Sequence, residues 1–297
     1  MDTRLKPQLQ NSTEIKSILK KVDVTYKLGD GRNVETLLVF LPPGRDENPL
    51  IKFFSAVKDG IMSNFVFKCS EVEKKLGISK SGAAEKLFEK AIRKLSQKTA
   101  QGELGELILF TLMDVYLEAP KLLSKVADKP NPRMPVFGAD GVHGQFCDGK
   151  FRLFLGESKL YKDFKAAATK AAESIKSAKQ AYQGEFDLLD SNMDFPNITA
   201  DLEEYLLDIL DPFSEVEPEE YLYLPCFIGF SKPELMKFSG SDFKKAYIDL
   251  AAEYVGDFYR KIENQDLDVQ KTALLILPFE SIDELVRQFI DFMGIQK

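Results

Sequence analysis

Histidine and cysteine are both scarce in this chain of 297 residues, which limits the kinds of active site it can form. Ser-His-Asp or Cys-His catalysis would depend on the single histidine, His143, and zinc sites usually need more than one imidazole. We interpret His143 as a polar strand residue, with a supporting role beside a site as the alternative. Cys69, Cys147 and Cys226 lack the paired spacing of a metal site or disulfide framework, so we expect reduced core cysteines.

Long hydrophobic runs are also absent. No stretch approaches the length of a membrane span, and the first ten residues are too polar for a signal peptide. Hydrophobic residues make up 44% and charged residues 29% of the chain, which is ordinary for a globular protein. We therefore expect a cytoplasmic protein without membrane contact, with room for one large domain or two modest ones.

The formal net charge of −7 counts against a nucleic-acid partner, but the charge is unevenly distributed. Residues 184–220 contain thirteen Asp and Glu residues and no Lys or Arg, so the remainder of the chain carries +6. This acidic stretch is a solvated surface, a docking surface for a basic partner, or a cover over a nucleic-acid site. Two predicted helices have basic faces that either track a phosphate backbone or are simply solvated: Lys86, Lys90, Arg93, Lys94 and Lys98, and Lys162, Lys165, Lys170, Lys176 and Lys179.

Hydrophobic periodicity predicts an α/β fold with a mixed central sheet and helices on both faces. An N-terminal α/β region, residues 1–98, contains strands at 22–28 and 35–41 and helices at 50–61 and 79–97. The second domain, residues 99–297, has a helix at 102–118, a hairpin at 142–147 and 151–161, a helix at 163–182, a strand at 221–230, a helix at 242–264, a strand at 272–278 and a helix at 281–293. Ser281 is the expected N-cap of the last helix, with Glu284 completing a capping box.

Four carboxylates and one lysine are the candidate functional residues. Asp140 lies in the run Gly-Ala-Asp-Gly-Val-His-Gly, and Glu157 and Lys159 follow in Leu-Gly-Glu-Ser-Lys-Leu-Tyr. Strand alternation places Glu157 and Lys159 on one side of the strand, with Ser158 pointing away. An acid and a base at the end of an apolar strand are costly to bury unless a ligand binds, so we expect a divalent cation and a phosphate there.

A second acidic contribution is predicted from the helix before the hairpin, which begins Gly-Glu-Leu-Gly-Glu. Glu103 and Glu106 share one face of this helix. We favour Glu106 as the functional acid because it lies deeper in the helix, and keep Glu103 as the alternative, since its position near the helix start also suits a dipole partner. Gly102 and Gly105 either allow close packing of the helix on the strands or are ordinary small contacts.

These residues resemble the PD-(D/E)xK nuclease superfamily, in which an Asp opens the second core strand and Glu-x-Lys occupies the third. Asp140, Glu157 and Lys159 match this pattern, and Glu106 or Glu103 matches the acid of the preceding helix. One departure is that Ala139, rather than proline, precedes Asp140. The resemblance implies a restriction-endonuclease-like core that hydrolyses phosphodiester bonds.

The three motifs together also resemble the HamA family, small subunits of the Hachiman anti-phage defence system. This resemblance covers about residues 99–183 and implies a DNase that acts on DNA in a heterodimer with the superfamily-2 helicase HamB, which holds it inactive. A catalytically silent subunit that binds DNA or regulates a helicase is the alternative function.

Phosphodiester chemistry suggests a role for each candidate. Asp140 and Glu157 would ligate Mg²⁺, or alternatively Mn²⁺, with the Ser158 carbonyl as a third oxygen. Lys159, with its pKa lowered by the metal, would orient or deprotonate the attacking water. Glu106 would hold a second metal or a metal-bound water.

Overall fold

The computed structural model describes residues 4–42, 48–77, 82–123, 139–181, 203–204, 206–208 and 220–296. The described strands form one mixed sheet of eight strands in the order β1-β3-β8-β7-β6-β5-β4, with β2 paired to β3. Neighbours β3 and β8, β8 and β7, and β7 and β6 are parallel, and the other pairs are antiparallel. The strands are β1 (Lys20–Val22), β2 (Tyr26–Lys27), β3 (Asn33–Phe40), β4 (Lys121–Leu123), β5 (Gly141–Cys147), β6 (Lys150–Tyr161), β7 (Leu222–Ser231) and β8 (Thr272–Phe279).

Helices flank this sheet. They are α1 (Ser12–Ile18), α2 (Pro49–Ala56), α3 (Met62–Val66), α4 (Cys69–Gly77), α5 (Ala83–Ile92), α6 (Ala100–Tyr116), α7 (Phe164–Gln180), α8 (Gly240–Glu263) and α9 (Ile282–Met293). Ser281 is the N-cap of α9, as predicted, because its hydroxyl accepts the Glu284 N–H. The Glu284 carboxylate pairs with Arg287 and Gln288 of the same helix.

The elements from α6 onward agree with the predicted order, with ends shifted by a few residues. Strand β4 was not predicted, because three residues are too few to show a periodicity. The predicted helix 50–61 is wrong as a single helix: α2 ends at Ala56, and a π-helical turn (Val57–Ile61) follows, in which Gly60 leaves helical geometry. In place of the single strand predicted at 22–28, the structure has two short strands, β1 and β2. Within the described residues, the helix predicted at 79–97 extends only over α5.

Two hydrophobic cores lie on opposite faces of the sheet. Alternate residues of β7 and β8 contribute to each core, because both strands are covered on both faces. Phe227 and Leu275 pack in the core with α2, α5, α6 and α9. Cys226 and Leu274 pack in the core with α7 and α8. Helices on both faces therefore hold the sheet, including the strand that carries Glu157 and Lys159.

The regions on either side of the predicted boundary at residues 98 and 99 share this sheet. Strand β3 pairs in parallel with β8, with Leu37 opposite Leu275. The first residues also attach to the second region, where the Gln145 side chain hydrogen-bonds to both the N–H and the carbonyl of Leu5. Residues 4–42 thus extend the sheet that carries the candidate site.

Most of the acidic stretch, residues 184–220, falls outside the described residues, as do residues 124–138 before Asp140. Within the part of the chain that the structure describes, no helix is both long and apolar enough to cross a lipid bilayer.

Candidate active site

A notch in the sheet, at the start of β5, brings four of the candidate residues to one cleft. Strand β5 begins at Gly141, opposite Gly156, whereas β6 continues to Tyr161 beside β7. Asp140 precedes β5 and donates its backbone N–H to the Gly156 carbonyl at 2.9 Å. The notch opens into a cleft of about 300 Å³, whose walls include Gly105, Glu106, Asp140, Ser158, Lys159 and Tyr161. The end of one strand beside a longer neighbour thus creates the space.

Asp140 is held by Ser158. The Ser158 N–H and the Ser158 hydroxyl both donate to Asp140 Oδ2, each at 2.8 Å. The Ser158 side chain faces α6, since a Cβ added at Gly105 would lie 3.2 Å from its Oγ. This agrees with the prediction that Ser158 points away from its two neighbours. The hydroxyl contact was not predicted, because it depends on how close α6 and β6 approach.

Glu157 and Lys159 project to the other face of β6, as predicted, and form an ion pair there. The Glu157 residue is only 6% exposed, and its carboxylate also hydrogen-bonds to Ser174 of α7. Burial, reinforced by the negative charge of Asp140 and opposed by Lys159, raises the pKa of Glu157 to about 7. Two carboxylates therefore lie near one ammonium group.

The pKa of Lys159 is raised. Burial acts to lower this pKa, but the charge and hydrogen bond of Glu157, together with the charge of Asp140, outweigh it. The predicted lowering of this pKa concerns a lysine beside a bound cation, and it stays a prediction.

The two acids of α6 have different surroundings. Glu106 is half-buried and lines the cleft. Glu103 is 2% exposed and accepts hydrogen bonds from the Thr99 hydroxyl at 2.9 Å and the Ser96 N–H at 3.4 Å. Glu103 thus fastens the start of α6 to the preceding turn, and Glu106 is the α6 acid in the cleft.

Among the described residues, no three His, Cys, Asp or Glu side chains lie close enough together to hold a metal ion. The geometry accounts for this finding: Asp140 lies in the notch, Glu157 on the α7 face of β6, and Glu106 on α6. Asp140 lies close enough to Glu157 for its negative charge to act on it, but these described residues do not bring all three carboxylates to one point.

The surroundings of His143 are those of a residue that supports the fold. Its ring is buried, lies 5.9 Å from the Phe110 ring and hydrogen-bonds through Nδ1 to the Ala119 carbonyl at 2.8 Å. Burial, aided by the charge of Lys121, lowers the pKa of His143 to about 3, so the ring is neutral. This fits the interpretation as a polar strand residue. Cys147 and Cys226 are both free thiols, and the side chain of Cys69 is not among those that the structure describes.

Ion pairs occupy part of the two predicted basic faces. On α5, Lys90 pairs with Glu71. On α7, Lys165 pairs with Glu253 and Lys170 with Glu173. Each of these exposed pairs offsets one positive charge and contributes little to stability.

Comparison with known families gives one match. The model of the HamA family matches residues 15–293, which includes the cleft, all strands of the sheet and every helix but the first few residues of α1. No curated protein is significantly similar to the chain. The match extends well beyond the motif region on which the resemblance was based, and it includes the N-terminal strands.

Proposed function

The chain belongs to the HamA family, a subunit family of Hachiman anti-phage defence, and from this premise we propose that it is a metal-dependent DNase. The observation that carries the proposal is the cleft at the start of β5, where Asp140, Ser158, Lys159 and Glu106 come together. Phosphodiester hydrolysis needs anionic oxygens to bind a divalent cation and a positive charge to bind the phosphate. The carboxylates in this cleft can supply the first, and the lysine can supply the second.

The order of elements supports a PD-(D/E)xK core. Helix α6 is followed by three consecutive antiparallel strands, β4, β5 and β6. Asp140 lies at the start of the second of these strands, and Glu157 and Lys159 lie in the third. Helix α6 carries Glu106 into the cleft. These positions support the correspondence with the superfamily pattern.

The donor set suits Mg²⁺ or Mn²⁺. Both prefer oxygen ligands, and Mg²⁺ is commonly bound through one or two carboxylates with water and substrate phosphate completing its shell. We propose Asp140, Glu157 and the Ser158 carbonyl as ligands, with Glu106 holding a second ion or a bound water. A cation would also offset the excess of negative charge that Asp140 and Glu157 create beside Lys159. When bound, it would polarise the phosphate and acidify a bound water.

The chain's own residues would orient the substrate. In this proposal the Lys159 ammonium leaves Glu157 to donate to a phosphate oxygen or to the attacking water. The lysines of α7, which is separated from β6 by two residues, would attract the DNA backbone. We propose DNA as the substrate, with the scissile phosphate in the cleft.

Cleavage of plasmid DNA by the purified chain in Mg²⁺ or Mn²⁺, with and without a chelator, tests the proposal. Asp140→Asn should abolish cleavage. The matched control is Asp148→Asn, at the other end of the same hairpin, where the residue has a positive φ of 52° that asparagine tolerates. Chelator-insensitive cleavage would show the metal assignment to be wrong. DNA binding without cleavage in either ion would support the silent DNA-binding subunit instead.

We also propose that the helicase HamB binds this chain as a heterodimer and restrains it, since an unrestrained DNase of low sequence preference would attack its own genome. The acidic stretch, residues 184–220, offers charges for docking such a partner. The isolated chain should then cleave DNA faster than the complex does. Equal rates would contradict restraint by the partner.

A further inference from the structure

Ser158 is placed to control the carboxylate of Asp140. Its backbone N–H and its hydroxyl converge on one oxygen, Oδ2, at 2.8 Å each. The residue is 7% exposed, and its side chain lies between β6 and α6. Two donors on one oxygen restrict the rotation of the carboxylate.

Hydrogen bonds therefore hold both the backbone and the carboxylate of Asp140. Its backbone N–H is bound to the Gly156 carbonyl, and its Oδ2 to Ser158. No described residue donates a hydrogen bond to the other oxygen, Oδ1. The two donors therefore hold the carboxylate in one orientation, with one oxygen left for a ligand.

Gly105 sets the position of the hydroxyl. A Cβ at this residue would lie 3.2 Å from Ser158 Oγ, 3.6 Å from Ser158 Cβ and 3.7 Å from Leu160 Cβ. The first distance is tighter than ordinary contact, so any side chain here would displace Ser158 or push α6 away from β6. Glycine is unfavourable inside a helix relative to alanine, so helix formation does not account for it. The close approach of α6 to Ser158 accounts for the glycine at this position.

We propose that Ser158 and Gly105 are positioning residues that preorganise Asp140 for a divalent cation, a role separate from any ligation by the Ser158 carbonyl. This inference rests on the proposed metal-dependent cleavage. Residues that hydrogen-bond to a metal ligand orient it, and their loss typically weakens metal binding by about 10–100-fold.

The test is Mn²⁺ binding to the full-length protein, measured calorimetrically without DNA. Ser158→Ala keeps the backbone donor but loses the hydroxyl, and should weaken Mn²⁺ binding by about 10–100-fold. Ser158→Thr, which retains a hydroxyl, should recover most of the affinity. Cleavage by the alanine variant should be restored by raising the Mn²⁺ concentration, because the defect lies in binding the ion.

Gly105 is tested by a double-mutant cycle. Gly105→Ala should weaken Mn²⁺ binding in the wild-type background but have no further effect together with Ser158→Ala, because the atom it displaces is then missing. Gly256→Ala is the matched control: it lies within helix α8, where an added Cβ meets nothing within 4 Å, and Mn²⁺ affinity should not change.

The outcomes separate the two proposals. If wild type binds Mn²⁺ and Asp140→Asn does not, but Ser158→Ala binds normally or Ser158→Thr binds as weakly as Ser158→Ala, the positioning role is overturned and the proposed function stands. If Gly105→Ala has the same effect in both backgrounds, its part in the proposal is overturned. Wild type that binds no Mn²⁺ overturns the metal-dependent function and the positioning role together.

Discussion

Glu103 and Glu106 lie three residues apart on α6, yet only Glu106 lines the cleft, while Glu103 is buried against Ser96 and Thr99. The helix turns by about 300° over three residues, so two acids on roughly the same face still meet different neighbours. One of them lies in the cleft, and the other is committed to the fold.

Substitution of each acid by alanine should therefore have opposite consequences. Glu106→Ala should abolish or strongly reduce DNA cleavage, with little change in the free energy of unfolding. Glu103→Ala removes the acceptor of the buried Ser96 N–H and one partner of the Thr99 hydroxyl, and should cost about 1–3 kcal/mol of stability. Urea denaturation and plasmid cleavage measure the two effects. Loss of cleavage by a fully stable Glu103 variant, with Glu106→Ala active, would reverse the assignment.

Lys159→Ala should lower the rate of DNA cleavage by about 10²–10⁴, the range for a group that transfers or positions a proton. Lys150→Ala, at the exposed start of the same strand, is the matched control and should retain the rate. Removing Lys159 also leaves Glu157 buried without its ionic partner, so the single variant loses stability.

The double variant Glu157→Gln/Lys159→Ala separates these two effects. It removes the unpaired charge and should recover part of the stability while remaining inactive. If Lys159→Ala cleaves DNA at the wild-type rate, Lys159 has no part in the chemistry.

The raised pKa of Asp114 predicts that the stability of the fold depends on pH. Its carboxylate accepts the N–H groups of Gln8 and Leu9, and burial, which outweighs these bonds and the charge of Lys121, raises its pKa to about 6. The folded state then holds a proton more tightly than the unfolded state, so the contribution of Asp114 to stability is greatest below about pH 4 and falls as pH rises to about 6, by roughly 2–3 kcal/mol.

The measurement is the difference in unfolding free energy between wild type and Asp114→Asn at several pH values, which cancels the contributions of other groups. The wild type should lose stability relative to the variant between about pH 4 and pH 6. An increase over this interval would mean that the two N–H donors outweigh burial and lower the pKa of Asp114.

Substitution of Lys121, which does not line the cleft, should strongly lower the stability of the fold. It is 6% exposed, and its Nζ donates to the backbone carbonyls of Asn64, Phe65 and Phe67 at the end of α3. Lys121→Met keeps most of the side-chain volume but leaves these carbonyls without their donor, so it should cost about 3 kcal/mol or more. Thermal unfolding checks this, with exposed Lys150→Met as the control. A change in stability no larger than that of the control would contradict the structural role.

The sequence by itself determined the elements whose signal is local. The hairpin of β5 and β6, the helices α6 and α7, and the apolar strands β7 and β8 follow from periodicities and turn residues within each segment, because a side chain's direction repeats with the backbone geometry. The same alternation placed Glu157 and Lys159 on one face and Ser158 on the other.

Only the tertiary structure decided the features that join distant segments. No local pattern specifies that β3 lies beside β8, because parallel strands are joined through long connections and their pairing depends on the packing of both sheet faces. The buried environments of His143 and Lys121 depend in the same way on segments far along the chain. The two hydrogen bonds from Ser158 to Asp140 depend on how the start of β5 meets β6, and the assignment of Glu106 rather than Glu103 to the cleft depends on how α6 lies on β6. The close packing of the whole core sets both arrangements.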